Sequence, residues 1–186
     1  MKLYLNLKSF TKRPSTAATL CVSACLALFS AANVWAQVTP APVTYPKITG
    51  YVGILHPLVT FSSEGTHTNF DGYYTVGMPT GINIWKSAGI GYSLEMVPFI
   101  RSEGGVSKMN NFLFHPGVLV ALGKGFTFAG RAAFETSGRY GVTPVLNKVI
   151  VKKKTCSYFA AVPLPLRFGN DRPTTFTAGF QFGIAF

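Results

Sequence analysis

The stretch from Thr174 to Phe186 restricts this chain more than any other part. Phe176, Ala178, Phe180, Phe182, Ile184 and Phe186 occupy alternate positions, with Thr177, Gly179, Gln181, Gly183 and Ala185 between them. A period of two is the geometry of an extended strand, in which successive side chains point to opposite faces. One face is therefore aromatic and branched, and the other is small or polar. A strand of this kind needs an apolar surrounding on its greasy side and little room on its other side.

The same alternation recurs upstream. Strands are predicted over residues 48–61, 73–85, 90–101, 112–122, 126–136, 139–147, 157–168 and 174–186. Their charges follow one rule. Glu95 lies out of phase with Ile90, Tyr92, Leu94, Met96 and Ile100; Arg131 and Glu135 lie out of phase with Phe126, Phe128, Ala132 and Phe134; and Arg167 lies out of phase with Tyr158, Val162, Leu164 and Leu166. All four charges avoid the apolar face. The second face is otherwise mostly Gly, Ala, Thr, Ser and Gln, which suits a crowded interior better than a hydrated exterior. Two acids and two bases turned inward together neutralise one another, where an unpaired buried charge would be expensive.

Composition agrees. Charged residues make up 12% of the chain, about half of the roughly 25% usual in soluble domains. Downstream of residue 36 no apolar run is long enough for a membrane helix. Upstream, Lys2, Lys8, Lys12 and Arg13 precede an apolar run from Ala17 to Ala32, followed by Asn33-Val34-Trp35-Ala36. This pattern reads as a secretory signal peptide over residues 1–36, cleaved after Ala36. Residues 37–47, with Pro40, Pro42 and Pro46, read as an extended periplasmic lead-in, and residues 48–186 as one domain. Cys21 and Cys25 leave with the signal, so Cys156 stands alone and no intramolecular disulfide or cysteine metal site is expected.

The terminal alternation, the closing Phe186 and the signal peptide resemble the small outer-membrane β-barrels of Gram-negative bacteria, of the eight-stranded porin-like and surface-protein type. The resemblance implies an all-β fold: a closed antiparallel up-and-down transmembrane barrel of eight strands. It also implies a location in the outer membrane and recognition of Phe186 and the C-terminal strand by the barrel-assembly machinery. With both termini in the periplasm, Phe61–Gly72 and Ser102–Asn111 are expected as extracellular loops and contact sites. Aromatics near strand ends, including Tyr73, Tyr74, Trp85, Tyr92, Phe112, Phe114 and Tyr158, are expected in interfacial girdles. Seven prolines, Pro57, Pro79, Pro98, Pro116, Pro144, Pro163 and Pro165, fall within the predicted strands. Each must remove a ladder bond or mark a bulge or strand end.

No Walker loop, G-x-S-x-G, H-E-x-x-H or paired cysteine is present, and no cofactor or metal is expected. The expected site is an ion network in the lumen, formed by Glu95, Arg131, Glu135 and Arg167. Lys148, Lys152, Lys153 and Lys154 form a basic cluster suited to lipopolysaccharide or phospholipid headgroups. An eight-stranded barrel is just wide enough to be filled by its own side chains, so the expectation is a monomeric, non-enzymatic barrel with a plugged lumen. Nucleic acid is not expected as a partner. The rival readings are a narrow pore for small or hydrophobic solutes, a lipid A-modifying enzyme built on Ser93, Glu95 and His115, and a soluble periplasmic barrel that binds an apolar ligand.

Overall fold

The computed structural model describes residues 43–186, so the signal segment and most of the predicted lead-in lie outside the described residues. Eleven strands follow one another: β1 (Lys47–Ser62), β2 (Gly65–Thr68), β3 (Tyr73–Gly77), β4 (Thr80–Trp85), β5 (Ile90–Glu103), β6 (Val106–Gly123), β7 (Phe126–Glu135), β8 (Tyr140–Lys152), β9 (Ser157–Pro163), β10 (Leu166–Phe168) and β11 (Thr175–Ala185). Two predicted strands are each interrupted once. Met78-Pro79 separates β3 from β4, and Leu164-Pro165 separates β9 from β10. The eleven strands therefore build eight staves, with β2 folded back along the end of β1.

Every stave pairs antiparallel with its neighbours, and β11 pairs with β1 from Tyr51↔Ala185 to Phe61↔Phe176, which closes the sheet into a barrel. Pairing is staggered around the ring. One route from Met96 passes through Thr80, Val52, Ile184 and Tyr158 and arrives on β8 at Val151. The other route passes through Phe114 and Phe134 and arrives on β8 at Tyr140. A barrel with tilted strands requires such a shear.

The prolines explain most departures from regularity. The ladder shifts register beside Pro57 and again next to Pro98, between Phe99 and Ile100. Pro79 and Pro165 lie in the two strand breaks, and Pro116 lies where direct pairing of β6 with β7 lapses between Phe114 and Gly117. Because Pro has no N–H to donate, the ladder yields at these points while the ring as a whole stays closed.

The alternation sorts side chains as the sequence predicts. Along β5, Ile90, Tyr92, Leu94 and Met96 are 52, 51, 44 and 50% exposed, whereas Ser93, Glu95 and Val97 are 1, 2 and 0% exposed. On β11, Phe176, Phe180, Phe182 and Ile184 face outward and Gln181 is buried. The barrel is thus inside-out relative to a water-soluble protein: its outer wall is apolar and its polar groups are inside. A closed sheet with that outer wall leaves no main-chain edge for hydrocarbon to meet.

Three expectations need correction. Ser102–Asn111 is not a loop, because β5 and β6 continue as a protruding hairpin that turns at Gly104-Gly105, both with positive φ. Phe61–Gly72 is also partly strand, as β1 runs on to Ser62 and β2 returns along it. Asn69 then locks the following segment, its side chain bonding both N and O of Thr75 at 2.7 Å. Third, Trp85 and Tyr73 do not join an outer girdle but turn into the barrel, where each lines a cavity. A side chain near a strand end obeys the phase of its strand, and both residues lie in the inward phase.

Leu94→Arg places a guanidinium on the outer wall near the middle of β5. It is expected to lower stability in lipid by about 2–4 kcal/mol, measured by urea unfolding in vesicles. Ser102→Arg, near the rim, is expected to cost much less.

Candidate functional site

The interior is layered. In one layer Glu95 gathers with Tyr51, Ser93, His115 and Arg131, five side chains from four staves. Tyr51 Oη donates to Glu95 Oε2 at 2.8 Å, Arg131 Nη1 donates to Glu95 Oε1 at 3.1 Å, and the His115 ring lies 2.9 Å from the same oxygen through Nδ1. Arg131 Nη2 donates further to Tyr51 Oη at 3.0 Å and to Ser93 Oγ at 3.2 Å. A carboxylate only accepts, so His115 presents its Nδ1–H to Glu95. All five side chains are buried. His115 Nε2 and Arg131 Nε are buried with no protein partner.

Register brings these groups to one level. Tyr51 pairs with Gly81, Gly81 with Glu95, and Glu95 with His115, while Gly117 pairs with Arg131. Glycines make the space. A Cβ on Gly81 would lie 2.5 Å from Tyr51 Oη, one on Gly117 2.5 Å from Arg131 Cγ, and one on Gly183 2.6 Å from Phe159 Cζ. Each of these three large inward side chains lies over a glycine of a neighbouring stave.

Next to this layer is a dry one. Leu55, Val97, Leu113 and Ala133 pack together, with Phe99 against them. Beyond it lies a second polar group. Arg167 Nε bonds Glu135 Oε1 at 2.7 Å, and Arg167 Nη1 bonds Thr143 Oγ1 at 2.9 Å. Asn111 Nδ2 and Ser137 Oγ also reach Glu135 Oε2, at 2.7 and 2.9 Å. The four predicted lumen charges are therefore all inside, but they form two pairs on either side of an apolar layer and not a single network. Phase alone could not separate them, because it reports direction and not height. Tyr51, Ser93, Asn111 and Thr143 also belong to these groups. Their inward phase was the available signal.

Cavities lie at both ends. One of about 170 Å³, between the Glu95 layer and the rim that holds Lys47 and Ala185, is lined by Trp85, Asn83, Asn147 and Gln181. The other, of about 280 Å³, lies on the opposite side of the dry layer.

Ser93, Glu95 and His115 are close, but not in the order that nucleophilic catalysis needs. Ser93 Oγ is held by Arg131, and His115 bonds Glu95. A nucleophile must lie within hydrogen-bond reach of its base, and no hydrogen bond joins Ser93 to His115. His56 bonds Tyr74 Oη at 2.9 Å, and the described residues contain no cluster of His, Cys, Asp and Glu that could hold a metal ion.

The basic cluster is wider than predicted. Lys148 and Lys152 lie on β8, which runs to Lys152, and only Lys153 and Lys154 belong to the turn. Lys148 Nζ donates to Lys124 O at 2.7 Å and lies 4.0 Å from the Phe126 ring centroid. Lys47, Lys86 and Lys124 occupy the same rim, at the start of β1 and in the turns after β4 and β6. Among the described residues Glu64, Asp71, Glu103 and Asp171 all lie toward the other rim, and Glu95 and Glu135 lie inside.

No family model matches the chain, and no curated protein matches it. Among solved structures it is similar to two de novo designed transmembrane β-barrels. One is 11% identical with a TM-score of 0.40, over 74% of this chain and 93% of the design. The other, solved by solution NMR, is 10% identical with a TM-score of 0.38, over 75% of this chain and 91% of the design. The barrel assignment here rests on the strand pairing itself.

Arg131→Met leaves the Glu95 carboxylate buried without its main cation. The expected loss is about 3–5 kcal/mol, measured by urea unfolding in detergent or lipid. Glu95→Gln combined with Arg131→Met is expected to recover a large part of that loss, so the double-mutant cycle should show strong coupling.

Proposed function

We propose that this protein is an outer-membrane β-barrel with a blocked lumen, whose role is structural or lies in interactions at the cell surface. The observation that carries the reading is the succession of layers inside the ring. A hydrated solute moving along the axis would have to displace the Tyr51, Glu95, His115 and Arg131 cluster and then cross the dry layer of Leu55, Val97, Leu113 and Ala133. Breaking the first leaves a buried charge unpaired, and the second offers water no partner. The outward apolar residues of β5 and β11 support membrane insertion, and the C-terminal alternation ending at Phe186 supports delivery by the barrel-assembly machinery.

In this reading the ends that carry Lys47 and Ala185 face the periplasm. The lysine rim then meets phospholipid headgroups of the periplasmic leaflet. Lipopolysaccharide, in the outer leaflet, would instead meet the rim of the β5–β6 hairpin. Each lysine near an anionic surface contributes roughly 1 kcal/mol, and Lys148, Lys152, Lys153 and Lys154 supply the densest part of that charge. The protein acts without a cofactor, and as a monomer.

The test is conductance of the purified protein in planar bilayers, together with fractionation of cells that express the full chain. Recovery in the outer-membrane fraction with no stable open state is expected. A steady conductance of porin size would overturn the blocked lumen in favour of the narrow-pore reading. Recovery in the periplasm without detergent would favour a soluble ligand-binding barrel, and altered lipid A abolished by His115→Ala would favour an enzyme.

A further inference from the structure

The larger cavity is built as a cup. Its floor is Leu55 and Phe99, at the edge of the dry layer, and Pro57, Pro163 and Pro165 stand in its wall. Pro57 adjoins a register shift and Pro165 lies in a strand break, so the ladder yields beside this space. Gly179 lies among them, and a Cβ there would come within 3.2 Å of Pro163 Cγ.

The charges around the cup do not balance. Arg167 is paired with Glu135 at 2.7 Å, and Arg101 with Glu103 at 2.9 Å. Arg139, which also lines the cup, is paired with no carboxylate. Its Nη2 donates to the carbonyl oxygens of Arg167 at 3.1 Å and Pro173 at 2.8 Å. Its Nε is buried with no partner. Neutral carbonyls orient the guanidinium and leave its charge uncompensated. One fixed cation thus faces a volume of about 280 Å³ with an apolar floor and a proline wall.

We infer that the cup binds a small organic monoanion: a carboxylate carried on an apolar ring or short chain. The carboxylate pairs with the Arg139 guanidinium through Nη1, because Nη2 is engaged by two carbonyls and Nε is enclosed. The apolar body lies against Pro163, Pro165 and Phe99. The cup mixes this apolar side with Thr, Asn and charged side chains on the other, and its size suits a compact ligand with one polar end. The inference goes beyond the blocked-barrel reading and stands on the cup alone. A porin-size conductance would sink that reading and leave the titration below to decide this one.

The experiment is a titration of the isotope-labelled protein in nanodiscs, followed by NMR. Benzoate is the probe, with benzamide as the neutral ring, benzylammonium as the cationic ring and acetate as the anion without a ring. Benzoate is expected to bind saturably with a Kd of about 1 mM or tighter, and the three comparison compounds at least tenfold more weakly. Shifts are expected at residues around Phe99, Arg139 and Pro163. Arg139→Gln is expected to weaken benzoate at least tenfold, Arg139→Lys less, and Lys153→Gln not at all. The inference is overturned if benzoate shows no saturation by roughly 10 mM or if benzamide binds equally well. It is also overturned if the shifts map to the lysine rim, or if a folded Arg139→Gln protein binds like the wild type.

Discussion

The structure depends on a conflict over space inside a closed ring. Eight staves enclose an interior that side chains can fill, and every second residue of every stave must point into it. Large groups fit only where a neighbour gives way. Tyr51, Arg131 and Phe159 therefore lie over Gly81, Gly117 and Gly183, and buried charges fit only where their partners arrive at the same height. The register, the glycines and the polar clusters are thus one solution to one problem. A shift of two residues on β5 or β7 would keep each side chain on its own face and still separate Glu95 from Arg131.

The same constraint explains why polar groups persist in the lumen. Hydrophobic packing alone would fill the space, as the Leu55, Val97, Leu113 and Ala133 layer does. Apolar contacts, however, discriminate poorly between neighbouring registers. A carboxylate that accepts from Tyr51, Arg131 and His115 at once is satisfied in one alignment of four staves. This cluster ties β1, β5, β6 and β7 together across the lumen, where main-chain ladders tie only adjacent staves.

Much of this was legible in the sequence, because direction is what a period of two encodes. The phases of Glu95, Arg131, Glu135 and Arg167 placed them inside, and the eight alternating runs gave the eight staves. Height was not legible. It follows from bulges near Pro57 and Pro98 and from the stagger around the ring, which depend on how strands meet. Hence the four charges divide into two pairs, and Trp85 and Tyr73 contribute to cavities and not to a girdle. The 102–111 segment misled for a different reason. Its Ser, Gly, Lys and Asn residues have loop composition, yet the two glycines at 104 and 105 suffice to turn a hairpin whose tip is exposed.

That hairpin reopens what closure had sealed. The β5 arm is covered by β3 as far as Tyr73↔Glu103, but β7 reaches β6 only from Leu113 onward. Residues 106 to 110 of β6 therefore leave one side of their backbone unpaired beyond the barrel, with Val106 and Met109 widely exposed. A bare strand edge invites a foreign strand to zip onto it, and Lys108 in its middle is the type of residue that discourages such adhesion. The tip of this molecule is where self-association would begin were that lysine lost.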